Sequence, residues 1–173
     1  MKNIIAIDPS FTRSGIAILY NDELVFHKIE KKIGEKSFQN IYLRTNEILS
    51  ELSEIVAGRI FDISINEVPP PVGIFSAGLY MLDSLLLKYL RSISTTSYIV
   101  HPRFLTLVHG HKYTKHESVV LAKDLLVKLG FTIPKTLSND EAEAFLFLCR
   151  ILKQQGLTDS CLDIFPEKEI LID

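Results

Sequence analysis

Two residues, Asn21 and Asp22, separate the apolar-rich runs 15–20 and 23–29, and a connection of that length and composition folds its neighbours into a β-hairpin. With the strand-like run 3–8 ahead of it, the N-terminal part of the chain reads as a three-stranded antiparallel meander. The pattern then changes period. Over 38–57, Ile41, Ile48, Leu49, Leu52, Ile55 and Val56 recur at helical spacing, and Gly58 stands where that helix should stop. Residues 61–67 alternate with period two, placing Phe61, Ile63 and Ile65 on one face and Asp62, Ser64 and Asn66 on the other, in a fourth strand that ends at Glu67. Pro69, Pro70 and Pro71 forbid helix and central strand, so a rigid loop follows Glu67 before a helix resumes near Ser76 and runs through Leu79, Leu82, Leu86 and Leu90. A fifth strand is expected at 98–100, then a short helical piece opened by Pro102, an amphipathic helix over 116–129 stopped by Gly130, and a last helix over about 139–155. This order predicts an α/β fold: a mixed five-stranded sheet, three antiparallel strands and then two more, flanked by helices.

Composition narrows the class. A chain of 173 residues is about one domain long, and 47% hydrophobic content supplies a core, which excludes a disordered chain. The domain is expected over 1–155, with the acidic tail 156–173 packed on it or extended as a short arm. Lys and Arg number 19 against 21 Asp and Glu, so no global positive field advertises a nucleic acid and any such contact is local. The balance is uneven along the chain: 101–135 carries 6 basic and 2 acidic side chains, 136–173 carries 3 and 8. Phosphate-gripping residues beside a carboxylate-rich metal site would give that order, and so would solvated helix faces. The longest run without a charged residue, 68–82, is 15 residues and holds three prolines, short of the ~20 apolar residues of a membrane span. The N-terminus enters a strand at once without signal or transit features, so a cytoplasmic protein with no membrane partner is expected. Cys149 and Cys161 fit no disulfide framework or zinc spacing and are expected as thiols.

Acidic residues stand at the ends of predicted elements. Asp8 ends the first strand, Glu67 ends the fourth, and Asp140 and Glu143 open the last helix on one face, with Glu141 pointing elsewhere. Singly, Asp8 before Pro9-Ser10 suits a turn, Glu67 a loop, and Asp140 and Glu143 a helix N-terminus. Together, two acids flush with apolar strands and a pair set among Ala142, Ala144, Phe145 and Leu146 call for a reason to place charge beside a core. Four carboxylates in one cleft raise each other's pKa unless divalent cations neutralise them, and oxygen ligands without Cys or His suit Mg2+. Two such ions ~4 Å apart would serve in-line displacement at a phosphodiester. His101, His109, His111 and His116 match no common structural-zinc spacing and sit better as donors in the basic segment with Arg103, Lys112, Lys115 and Lys123.

The stretch Ile5-Ala6-Ile7-Asp8-Pro9-Ser10-Phe11-Thr12-Arg13-Ser14-Gly15-Ile16-Ala17 resembles the first motif of RuvC-type Holliday junction resolvases, an acid after an apolar strand and a glycine opening the next. Ile63-Ser64-Ile65-Asn66-Glu67 is similar to that family's strand ending in Glu, and Asp140-Glu141-Ala142-Glu143-Ala144-Phe145 to its final acid pair. The resemblance covers 1 to about 155 and implies an RNase H-like fold and a homodimer that nicks four-way DNA junctions symmetrically with Mg2+, Mn2+ substituting and two ions per site. It implies that Asp8, Glu67, Asp140 and Glu143 hold metal and that Lys115 contacts the scissile phosphate or balances transition-state charge, with an ordinary surface lysine near a helix start the alternative. Arg13, Arg103, Lys112 and Tyr113 are the further DNA-binding candidates. The chain departs from the family pattern at Ser10, often Gly, at the bulkier approach 109–114, at Glu143 as the fourth acid, and at Pro70, where the bacterial enzymes carry an aromatic. Phe75 is the candidate to replace that aromatic as a wedge, with a core position the alternative.

Hydrolysis leaving a 5′-phosphate and a 3′-hydroxyl is therefore expected, at four-way junctions or, alternatively, at other branched DNA, flaps or RNA-containing duplexes. An actin-like or sugar-kinase ATP site needs glycines that Asp8-Pro9-Ser10 does not supply, and in a binding protein without catalysis inactivity would have to come from geometry, since all four acids are present. The apolar helix with Leu79, Met81, Leu82, Leu85, Leu86, Leu87 and Leu90 is the candidate dimer interface, although burial within one subunit would give the same pattern.

Overall fold

The Asn21-Asp22 turn adopts the backbone that a two-residue hairpin needs. Asn21 and Asp22 have φ of 51° and 65°, a left-handed pair that short polar side chains tolerate and that matches the twist of a two-residue hairpin. It joins β2 (Arg13–Tyr20) to β3 (Glu23–Glu30), with Tyr20 opposite Glu23 and Arg13 opposite Glu30. In this computed structural model residues 2–30, 37–67, 74–100 and 114–156 are described, without the side chains of 38 and 74–77. β1 (Ile4–Asp8) pairs antiparallel with β2, setting Asp8 opposite Gly15, and parallel with β4 (Phe61–Glu67), which pairs parallel with β5 (Ser94–Val100). The strand order is β3-β2-β1-β4-β5, the mixed five-stranded sheet expected.

Both faces of the sheet are covered. Ile5, Ile7, Ile16, Ile18 and Ile29 meet α1 (Phe38–Val56) and α2 (Ile74–Ile93) through Ile48, Leu52, Val56, Leu82, Leu86 and Leu90. Ile4, Ala6, Ala17, Leu19, Ile63 and Ile65 meet α3 (Lys115–Lys128) and α4 (Asn139–Gln154) on the other face. α4 is the central element of that layer, with Ala144 through Leu152 all buried, Cys149 among them, whereas Cys161 lies outside the described residues. No helix among the described residues is long and apolar enough to cross a membrane.

Three local expectations are corrected. Phe61 belongs to the α1/α2 core rather than with Ile63 and Ile65, and the alternation breaks where the Asn3 carbonyl accepts from both Asp62 N (2.9 Å) and Ile63 N (3.2 Å). β5 starts at Ser94, directly after α2, four residues ahead of the apolar run that marks it in the sequence. Its early part is held by hydroxyls instead, Ser64 Oγ lying 2.8 Å from both Ser94 Oγ and Ser97 Oγ. α1 ends on Ala57, left-handed at φ 50°, one residue before Gly58.

The two helices of the second layer begin at sharp caps. Thr114 with Glu117, and Ser138 with Glu141, form reciprocal capping boxes, which fix where α3 and α4 start. α4's first turn then lies directly on β2. A Cβ at Gly15 would stand 2.0 Å from the Asp140 carbonyl carbon and 2.4 Å from the Glu141 nitrogen, a distance only a glycine permits. Gly15→Ala should therefore destabilise the protein by about 3 kcal/mol, at the upper end of overpacking costs, read as a lowered urea midpoint. An unchanged midpoint would mean that α4 can shift without loss.

Candidate active site

Strand alternation places the first two acids. Asp8 follows Ala6 onto the α4 side of β1, and Glu67 follows Ile63 and Ile65 onto the same side of β4. β1 and β4 are parallel neighbours, so both carboxyls emerge at one edge, the C-terminal ends of the strands. The loop after Asp8 is tied down: Ser14 Oγ accepts from Ser10 N (3.0 Å) and donates to the Ser10 carbonyl (2.9 Å), and Arg44 donates to the Phe11 carbonyl from Nε (2.9 Å) and Nη2 (2.8 Å). The close contact at Gly15 brings Asp140 to that edge, and Glu143 follows one turn along α4. Glu141 is kept out, because its Oε2 accepts from Ser138 N at 2.8 Å and Ser138 Oγ at 2.5 Å.

The four carboxyls feel one another. Burial, then Glu67, Glu143 and Asp140, pushes the Asp8 carboxyl well above its ordinary range, and Asp8 hydrogen-bonds to Glu67. Burial and Glu143 push Glu67 up to about 7, with the Asp8 bond acting in opposition. Glu143 is pushed up by burial and by Asp140, against the opposing bond from Asn139 and the charge of Lys115. Burial and mutual repulsion thus push Asp8, Glu67 and Glu143 towards their neutral forms. Among the described residues, no three Asp, Glu, His or Cys side chains are gathered into a ready-made chelate. Asp140 is engaged by Arg13, whose Nε donates to Asp140 Oδ2. An all-oxygen carboxyl set, three members of which are pushed towards the neutral form, fits a hard divalent cation.

Lys115 is the exposed first residue of α3 and acts electrostatically on Glu143. His116 is exposed beside it, while His101, His109 and His111, and the DNA-binding candidates Arg103, Lys112 and Tyr113, lie outside the described residues. So do the side chain of Phe75, in the first turn of α2, and the tail from 157 onward. Several neighbours of the acids escaped the sequence reading. Asn139 Nδ2 donates to Glu143 Oε1 at 3.1 Å, and Ser118 Oγ lies 3.5 Å from the same oxygen. Asn139 and Glu143 are four apart on one helix face, which is the signal that could have found the pair. On the opposite face of β4, Asn66 Nδ2 donates to Asp83 of α2, a carboxyl that burial pushes up to about 6.

No protein-family model matches the chain, and no curated protein sequence does. Solved structures do. Thermus thermophilus RuvC in complex with a Holliday junction substrate superposes with a TM-score of 0.60 at 13% identity, over 90% of this chain and 97% of that one. The Fowlpox virus resolvase in complex with Holliday junction DNA gives 0.56 at 13%, over 88% and 98%. The yeast mitochondrial Holliday junction resolvase Ydc2 gives 0.58 at 11%, over 90% and 81%. With the strand order, the helices on both faces and the length all in agreement, the chain has the RNase H-like fold of the RuvC-type Holliday junction resolvases.

Proposed function

We propose that this protein is a divalent-cation-dependent endonuclease that resolves four-way DNA junctions by paired symmetric nicks. The observation that carries the reading is the convergence of Asp8, Glu67, Asp140 and Glu143 at one sheet edge, in a fold shared with junction resolvases. These four residues would hold the cation, Mg2+ with Mn2+ substituting, two ions per site by the family pattern. When bound, the cation lowers the pKa of water and offsets charge on the phosphate. Asn139 and Ser118 orient Glu143, and the Arg44-anchored loop keeps Asp8 in place. Water adds to phosphorus as the bond to the 3′ oxygen breaks, giving a 5′-phosphate and a 3′-hydroxyl. In this reading Lys115 meets the scissile phosphate or balances transition-state charge, Arg13, Arg103 and Lys112 contact phosphates, Tyr113 stacks on a base or sugar, and Phe75 serves as the wedge at the junction centre. Two nicks related by a two-fold axis require two sites related by the same axis, so the active form is a homodimer. α2 supplies its face, with Tyr80 exposed and Met81, Leu85 and Leu87 half-buried outside the core row.

Incubation with an immobile four-way junction, a matched flap and a linear duplex tests this. Paired nicks at the junction are expected with Mg2+ and none with EDTA, and cutting of flaps or duplex in place of junctions would overturn the substrate assignment. Asp8→Asn should abolish cutting while junction binding persists or tightens, since negative charge leaves the site. Retained cutting by this variant would remove the proposed site. Sedimentation on junction DNA should show a dimer, and a monomer both free and bound would contradict symmetric nicking.

The raised carboxyls also set a pH dependence. A carboxyl whose folded pKa exceeds its unfolded value stabilises the fold fully below the unfolded value and ceases to do so as pH rises through the folded one, here from 4.5 to about 7 for Glu67. In EDTA the melting temperature should fall between pH 5 and pH 8, and Mg2+ should restore more of it at pH 8 than at pH 5. A profile flat in EDTA would contradict the coupled cluster.

A further inference from the structure

The ion pair between Arg13 and Asp140 sits where two demands conflict. Arg13 opens β2, pairs across the hairpin with Glu30, and reaches the first turn of α4, where its Nε donates to Asp140 Oδ2. Its side chain is 36% exposed against 15% for Asp140, so the guanidinium closes over the carboxyl from the solvent side. A cation held by the four acids needs the same carboxylate, and an arginine cannot give up its proton to make room. The guanidinium must then move to another anion. The other acids acting on Arg13 are both engaged: Glu30 takes Lys28 Nζ at 2.9 Å, and Glu141 is bound into the Ser138 cap.

We propose that Arg13 is an exchangeable counter-charge, holding Asp140 in the cation-free protein and passing to a phosphate oxygen of bound DNA once a divalent cation takes that carboxylate. This rests on the nuclease reading for its second half only. A guanidinium released at the mouth of the site presents its fork to a phosphodiester, the anion whose geometry it matches. The exchange couples the two ligands. Cation binding frees a phosphate contact, and by reciprocity DNA raises cation affinity by the same factor.

The test uses Ca2+ as a probe, with the wild type and Arg13→Gln, and reads binding rather than cleavage. Calorimetry without DNA should show Arg13→Gln binding Ca2+ about three- to fivefold more tightly, the scale of a partly exposed ion pair. Fluorescence anisotropy with a labelled four-way junction should show the variant weakened in Ca2+ but close to wild type in EDTA, where Arg13 is already occupied. Arg13→Lys, which keeps the charge without the planar fork, should fall between the two and serves if the Gln variant folds poorly. Unchanged or weaker Ca2+ binding would overturn the exchange and leave Arg13 as a brace for Asp140. An equal loss of junction affinity in EDTA and Ca2+ would overturn it in favour of a fixed phosphate contact. A wild type that binds no branched DNA in either buffer would defeat the nuclease reading, while the Ca2+ affinities would still decide whether Arg13 yields Asp140.

Discussion

The contact between bare backbone at Gly15 and the first turn of α4 is the constraint on which the site depends. β1 and β4 deliver Asp8 and Glu67 to the sheet edge by pairing and alternation alone. Asp140 and Glu143 arrive by a different route, since they ride on a helix whose start must lie within van der Waals distance of the strand opposite Asp8. The Ser138–Glu141 cap fixes where that helix begins, and the same cap takes up the one acid of the segment that would otherwise add to the cluster. Geometry and charge are thus set by the same few residues.

That geometry stores an electrostatic conflict. Three buried or half-buried carboxyls are pushed up mainly by burial, a cost that protons on the acids relieve in the absence of a cation. Arg13 and Lys115 act at the rim, on Asp140 and Glu143, and leave the buried Asp8–Glu67 pair to be compensated from elsewhere. A hard cation held by the four acids would meet that need.

Much of this was legible in the sequence because the determining patterns are local. The Asn21-Asp22 turn, the strand ending in Glu67 and the Asp140/Glu143 spacing each lie within a few residues, and the resemblance to the resolvase motifs runs through those positions. What escaped was set by partners distant in the chain. Phe61 changes face where Asn3, 58 residues earlier, accepts two backbone bonds, and Ser94 to Ser97 form a strand because Ser64 satisfies their hydroxyls. Arg13 read as a DNA contact, and its pairing with Asp140 across 127 residues leaves no trace in composition or spacing. Asn66 read as one polar position of a strand, whereas it meets Asp83 of α2 inside the core.

The central claim is that the acids at the ends of β1 and β4 and the start of α4 form one cation site. Titration of Mn2+ into the metal-free protein, followed by electron paramagnetic resonance, tests it most directly, with Asp8→Asn and Glu67→Gln as comparisons. The account predicts saturable binding by the wild type that either substitution weakens at least tenfold, because removing one charged ligand from a small shared shell affects the whole site. Mn2+ binding that both variants leave unchanged would contradict it.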